Sequence, residues 1–172
     1  MPFTLPPPLL EKLRARRDAQ RATKRTLGPD TQPAAPRTID PRDLPAIKAL
    51  ALHMVETRDA QQRAFEDAHD AFLLDPGMGP MTYLTSDGRI LSDESTWFGE
   101  GVEEKTSTEA NMVIVVGARK TGLEDLLELL PKKPEGARTC DRCEGTRWMP
   151  QGKGQVVCAV CGGKGFRAAL VP

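Results

Sequence analysis

The sequence predicts an α+β protein, with a long amphipathic helix and a small sheet followed by a cysteine-rich C-terminal module. Apolar residues recur at helical spacing in the middle of the chain, an Asp-Gly turn separates two β-prone runs, and all four cysteines lie within 22 positions of one another. The 172 residues suffice for one ordinary domain with appendages. We expect an N-terminal arm over 1–38, an α+β body over 39–131, a linker over 132–137 and a zinc module over 138–172.

The N-terminal arm is rich in proline and in positive charge. Residues 1–8 contain four prolines, and residues 1–38 carry a net charge of +5. Residues 9–27 suit a helix, but large apolar side chains are sparse there. We therefore expect a solvated helix or a disordered segment, with a segment that folds on a partner as the alternative. A linker follows over 28–36.

A long helix should begin at Asp40 or Asp43, where an Asx cap, an early proline and an acidic residue coincide. It should end near Asp75, as one helix or as two with a soft joint. Its apolar face consists of Leu44, Ile47, Ala51, Met54, Phe65, Ala68 and Phe72, interrupted by Arg58 and Gln61. An alanine-rich flank permits close packing, so this face belongs either to the core or to the seam of a homodimer.

The predicted sheet consists of a hairpin and a central strand. Residues 81–85 and 89–92 flank an Asp-Gly turn, in which glycine supplies the positive φ that a tight hairpin needs. Asn111 to Gly117 contains an unbroken apolar run, which is typical of a strand covered on both faces.

A short helix should follow the central strand. Thr121 and Glu124 have the spacing of a capping box, and Pro131 should end the helix. Between hairpin and central strand, Trp97 and Phe98 either cover the sheet or line a surface groove.

The four cysteines are the strongest candidate site. They form two Cys-x-x-Cys pairs separated by fourteen residues. Two such turns facing each other can place four thiolates at the corners of a tetrahedron around a metal ion. The predicted ligands are Cys140, Cys143, Cys158 and Cys161. We expect one structural zinc ion, with iron on the same ligands and a dithiol redox centre as alternatives.

The two cysteine pairs belong to a short internal repeat. The segment from Cys140 to Trp148 aligns with that from Cys158 to Phe166 in two cysteines, a glycine and an aromatic residue. Glycines let the turn leave ordinary φ values, so that backbone amides approach the sulfurs. The predicted turn glycines are Gly145, Gly162, Gly163 and Gly165.

The repeat resembles the Cys-x-x-Cys-x-Gly-x-Gly zinc motif of DnaJ-type co-chaperones. The likeness covers Cys140 to Phe166, and Arg147 stands where the first copy should have its last glycine. That family carries four repeats and two zinc sites, whereas two repeats here suffice for one site. The His-Pro-Asp signature of a J domain is absent from the sequence. The resemblance implies a zinc module that contacts proteins or unfolded polypeptides, and it does not imply co-chaperone activity.

Charge is distributed unevenly, although the net charge is zero. Basic ends, with +5 over 1–38 and +4 over 137–172, flank an acidic stretch with −9 over 39–110. Basic ends suit an acidic partner, the chain's own acidic body or nucleic acid. The predicted partner-binding residues are Arg142, Arg147, Trp148, Lys164, Phe166 and Arg167. On nucleic acid, Arg138 and Lys153 would join the cations on phosphates, and the two aromatic rings would stack on bases.

No nucleotide-binding, hydrolase or metalloprotease motif occurs in the sequence. His53 and His69 are sixteen positions apart and are expected to be surface or packing residues. No apolar run is long enough to cross a membrane and no secretory signal is present, so we expect a cytoplasmic protein. The predicted function is a non-enzymatic, zinc-binding interaction module, with nucleic-acid binding as the alternative.

Overall fold

The computed structural model describes residues 3–23, 42, 44–75, 80–94 and 101–168. Its body is a four-stranded antiparallel sheet with helices packed on both faces. The strands follow one another in sheet order as β1 (Ala71–Asp75), β2 (Met81–Thr85), β3 (Ile90–Asp93) and β4 (Val102–Glu104). The helices are α1 (Pro7–Ala22), α2 (Leu44–His69) and α3 (Ser107–Thr121), with a 3₁₀ helix over Glu124–Leu129. The C-terminal module contains β5 (Arg138–Thr139), β6 (Trp148–Gln151), β7 (Gly154–Val157) and β8 (Phe166–Arg167).

Alternate residues of the sheet enter two separate cores. Phe72 and Leu74 pack with residues of α1 and α3, whereas Ala71 and Leu73 pack on the opposite face with Phe65 of α2. Side chains of a strand alternate between the two faces, so covering both faces buries consecutive residues. The body is therefore a mixed helix and sheet structure, which agrees with the predicted α+β class.

The predicted hairpin is confirmed. Strands β2 and β3 pair antiparallel around the Asp-Gly turn, with Leu84 opposite Ile90. Gly88 has φ +85°, and its carbonyl accepts a hydrogen bond from the amide of Phe3 at 2.7 Å. A Cβ atom on Gly88 would lie 1.7 Å from the carbonyl oxygen of Phe3, so the close approach of the N-terminal segment also requires glycine there.

The prediction of a central strand over 111–117 is wrong, because these residues form the middle of α3. Thr106 and Glu109 make a reciprocal capping box at the start of this helix, and Gly122 ends it in the left-handed conformation with φ +71°. Between these signals, Ile114 and Val115 lie on the buried face of the helix. Burial against the sheet outweighs the β preference of the branched residues.

Helix α2 is shorter at its C-terminal end than the sequence predicts. It ends at His69, and Asp70 turns the chain with φ +42°. Ala71 and Phe72, which the helical pattern includes, lie in β1 instead. The predicted caps Asp40 and Asp43 fall outside the described residues.

A helix is present in the N-terminal arm, as one of the expectations has it, but the expected full solvation is wrong for α1 because part of it enters the core. Leu9 and Leu13 are 2% and 1% exposed in the cluster that also contains Phe72. The two leucines are four residues apart and share one helical face, so that face can anchor a helix whose other positions are mostly polar. The linker over 28–36, as well as Trp97 and Phe98, lies outside the described residues.

The short helix after α3 is present as a 3₁₀ helix, but its predicted cap is wrong. Thr121 is the last residue of α3, and Leu123 precedes the 3₁₀ helix without a side-chain cap. Leu126 and Leu130 are buried in the main core. In the part of the chain that the structure describes, no helix is long and apolar enough to span a membrane.

Candidate metal centre

Two small ribbons bring the cysteine pairs together. Strand β5 pairs with β8, so that Thr139 lies opposite Phe166, and β6 pairs with β7, so that Trp148 lies opposite Val157. Cys140 directly follows β5 and Cys158 directly follows β7. Each cysteine pair thus begins where a ribbon strand ends, and the two ribbons hold the pairs face to face.

The two turns exchange equivalent hydrogen bonds. The amide of Cys158 donates to the carbonyl oxygen of Arg147 at 2.8 Å, and the amide of Cys140 donates to that of Gly165 at 3.0 Å. Arg147 and Gly165 occupy corresponding positions of the sequence repeat. The structure therefore repeats the internal symmetry of the sequence as an approximate twofold arrangement of the turns.

Backbone angles also match between the two turns. Glu144 and Gly162 have φ values of +50° and +55°, and Gly145 and Gly163 have +82° and +75°. Arg147 has φ +70° where the second copy has Gly165 at +82°. The missing glycine at position 147 therefore leaves the turn unchanged, although a non-glycine residue in this region costs about 1 kcal/mol.

The four sulfur atoms form a compact buried cluster. Every pair lies within 4.8 Å, with 3.9 Å between Cys140 and Cys158 and 3.8 Å between Cys143 and Cys161. No cysteine is more than 5% exposed. Metal–sulfur bonds of about 2.3 Å in a tetrahedron place the sulfurs about 3.8 Å apart, so the cluster can hold one metal ion. Disulfide bonds need about 2.05 Å, and all four cysteines are free.

The protein environment acts differently on the individual thiols. Burial raises the pKa of Cys161 to about 12, although the amide of Gly165 donates to its sulfur at 3.3 Å. Burial also acts to raise the pKa of Cys140, but backbone hydrogen bonds from Cys143 and Arg142 outweigh it and lower this pKa to about 7. A bound cation favours the thiolate at every position, so binding of a metal would release protons from the cluster.

The module packs against helix α3 and the main core. Val157 is 7% exposed and belongs to the same cluster as Val115 of α3. The Arg119 guanidinium lies 4.8 Å from the centre of the Trp148 ring and donates to Gln155 at 3.1 Å. The cysteine cluster therefore belongs to a module that packs on α3.

The aromatic residues predicted to bind partners are largely covered. Phe166 is 8% exposed, with the Lys164 ammonium 5.6 Å from its ring centre, and Trp148 is half-buried beneath Arg119. Arg142 is exposed, and Arg167 is exposed and pairs with Asp141 at 3.3 Å. Exposed Arg138 and Lys153 lie on the module's surface as well.

Comparison with known family models, curated proteins and solved structures gives no match to the chain. The four clustered cysteines are thus the evidence for a metal-binding module, and the resemblance to the DnaJ-type motif receives no support from a related protein.

Sequence reasoning missed two residues that support the site. Met149 packs against the cysteine cluster, and Val157 connects the module to the core. The Gly152-Lys153 pair, which forms the two-residue turn between β6 and β7, was the available signal for a β ribbon between the cysteine pairs. The two histidines lie away from the module on α2, where His69 packs on the Phe65 ring at 4.5 Å.

Proposed function

We propose that the chain is a zinc-binding protein in which one zinc ion has a structural role and supports an interaction module. The observation that carries this proposal is the set of four buried sulfurs at tetrahedral spacing. Four thiolates occupy every position of a tetrahedral ion and leave none for water or a substrate, which is typical of structural zinc. The small number of apolar residues in the module also favours a stabilising role for the ion.

Closure of the site favours a structural metal over a redox dithiol, and the colour of the purified protein distinguishes zinc from iron. Iron accepts the same four thiolates, but it would give the purified protein a strong visible colour that zinc does not. A redox dithiol needs a reactive thiolate with access to solvent, whereas all four sulfurs here are buried. The likeness to the DnaJ-type motif agrees with zinc, but the proposal does not depend on it.

Elemental analysis of the reduced, purified full chain tests the metal. We expect one zinc per chain and loss of the metal in Cys158→Ser. Met149→Leu is a matched control, because Met149 touches the cluster without being a ligand and leucine conserves its volume. A metal-free wild-type protein, or full zinc retention in Cys158→Ser, would contradict the proposal.

An interaction role is supported by an exposed apolar surface on the first half of α2. Leu44, Ile47, Leu50 and Met54 are 40%, 42%, 60% and 64% exposed, and they recur at helical spacing. Large exposed apolar patches are typical of protein–protein contact sites. We propose that this face binds a second helix, either in a protein partner or in another copy of this chain.

Light scattering of the full chain and its variants tests this surface. Replacing Leu50 and Met54 together by glutamate should abolish self-association, while Val156→Glu, at another exposed apolar position, should not. A wild-type protein that is monomeric at all concentrations excludes the homodimer and leaves a different protein as partner. Nucleic-acid binding has weaker support, because Trp148 and Phe166 do not offer free ring faces for stacking.

A further inference from the structure

A cleft separates the zinc module from the 3₁₀ helix and the N-terminal segment. It has a volume of about 720 Å³ and is lined by Phe3, Leu130 and Phe166 among its apolar residues. A neighbouring cavity of about 420 Å³ shares Leu127 and Arg147 with it. The two cavities thus adjoin at these residues, and we call them together the groove.

Positive charge dominates the lining of the larger cavity. Four basic side chains line it, namely those of Lys132, Lys133, Arg147 and Lys164, against one acidic side chain, Glu128. Clustered cations at the wall of a cleft attract anions because the low dielectric of the protein focuses their field. The cleft is therefore complementary to a negatively charged ligand.

These four cations lack the ion pairs that other basic residues make. Within the described ranges, none of the four has a carboxylate partner within 4 Å, whereas Arg17 has one and Arg21 and Lys105 have two each. Lys133 donates instead to the Thr139 hydroxyl at 3.1 Å. Among the residues that the structure describes, the Nε atom of Arg147 is one of the buried side-chain atoms without a hydrogen-bond partner. Arg147 lies where the two cavities meet, so its guanidinium is placed to hold a ligand that spans both.

We propose that this groove binds an acidic, extended peptide segment of a partner protein, in which a large apolar side chain lies between carboxylates. The carboxylates meet the four cations, and the apolar side chain packs on the partly exposed Phe3, Leu127 and Leu129. Nucleic acid fits less well, since the Phe166 ring is buried and the Trp148 ring is covered by Arg119. This inference rests on the proposed role as an interaction module and specifies its partner's chemistry.

Selection of short random peptides displayed on phage, using the immobilised zinc-loaded full chain, tests the inference. We expect the selected sequences to be enriched in aspartate and glutamate next to a large apolar residue. The most enriched sequence is then synthesised with a fluorescent label, and its dissociation constant is measured by anisotropy. Affinity should fall at least about tenfold from low to high salt, because the contacts are charge-assisted.

The double variant Lys132→Glu/Lys133→Glu identifies the binding site. Both lysines are exposed, so the fold tolerates the change, and affinity should fall at least about tenfold. Lys153→Glu is the matched control, because Lys153 is exposed but does not line the cleft. The affinity of this variant for the peptide should stay within about twofold of the wild-type affinity. Zinc content is measured for each protein.

Four results would overturn the inference: no binding peptides, no acidic enrichment, equal binding to the double variant, or tighter binding of an oligothymidine than of the peptide. Any of these in a protein that holds one zinc leaves the structural role of the metal intact. Absence of zinc from the wild-type protein would instead overturn the proposed function.

Discussion

Gly163 lies directly against Val115 of helix α3, so that a Cβ atom on Gly163 would be 3.2 Å from a Val115 methyl group. The same glycine has φ +75° and belongs to the second cysteine turn. One residue therefore meets two demands, the conformation of a metal-binding turn and the docking of that turn on the body. We expect damage at this contact to affect both parts of the protein.

Gly163→Ala should destabilise the fold by about 2 kcal/mol, since it combines strain at positive φ with a close contact to Val115. Urea unfolding followed by circular dichroism measures the change. Gly152→Ala is the control, because Gly152 has φ +57° but open space around it, and it should cost only about 1 kcal/mol. Equal losses in the two variants would show that the contact with α3 contributes nothing.

Arg21 connects α1 and α2 through a buried carboxylate. Its guanidinium lies 3.0 Å from Glu66, whose side chain is 1% exposed, and 2.8 Å from Asp67, which is 66% exposed. Arg21→Ala leaves Glu66 buried without its cation and should cost about 2 kcal/mol in the free energy of unfolding. Asp67→Ala removes the exposed partner of the same guanidinium and should cost at most about 0.5 kcal/mol. Similar losses in both variants would contradict a role for burial.

Thr106→Ala should cost about 1 kcal/mol, because it removes the capping box with Glu109 at the start of α3. The neighbouring residue Ser107 is exposed and lies within the first turn of α3, so Ser107→Ala should leave the stability nearly unchanged. Thermal unfolding of the two variants in parallel provides the comparison. A neutral Thr106→Ala would mean that packing of Ile114 and Val115 alone holds the helix.

Asp70 should make stability depend on pH in the acidic range. Hydrogen bonds from Ser86 and from Arg17 hold the pKa of the Asp70 carboxyl below its usual value of 3.8. A lowered folded-state pKa contributes stability above pH 4, and this contribution is lost as the pH falls through the folded-state value. Asp70 is half exposed, so the effect should be about 0.5 kcal/mol.

Asp70→Asn isolates that charge, because asparagine tolerates the φ of +42° equally well. The difference in unfolding free energy between wild type and variant should be present at pH 7 and shrink below pH 4. Release of metal in acid affects both proteins and cancels in the difference. A difference that is independent of pH would contradict the role of the carboxylate.

Local signals in the sequence predict some elements and mislead for others. The hairpin follows from Asp87 and Gly88, since the turn chemistry needs no distant partner. The strand predicted over 111–117 is wrong because a branched apolar run suits a buried helix and a buried strand equally well. The deciding signal, the spacing of Thr106 and Glu109, lies before the run.

Tertiary packing decides the features that sequence patterns leave open. Leu9 and Leu13 are two leucines in a basic helix, and their burial depends on the groove between the sheet and α3. The clustering of the cysteines is predictable, because the repeat itself encodes two equivalent turns. Arg147 and Lys164 of the cleft were predicted from the charge of the module, but Lys132 and Lys133 come from another segment, so only the fold reveals that the four lie together.

Leu9 and Val157 belong to a single buried cluster, although nearly the whole described chain separates them. A polypeptide emerging from the ribosome exposes the first of these residues long before the second exists. The nascent helix must therefore wait, with its leucines open to water or to chaperones, until the sheet and α3 have been synthesised. Translation products that end before α3 would leave this core open to water and would be good substrates for cellular proteolysis.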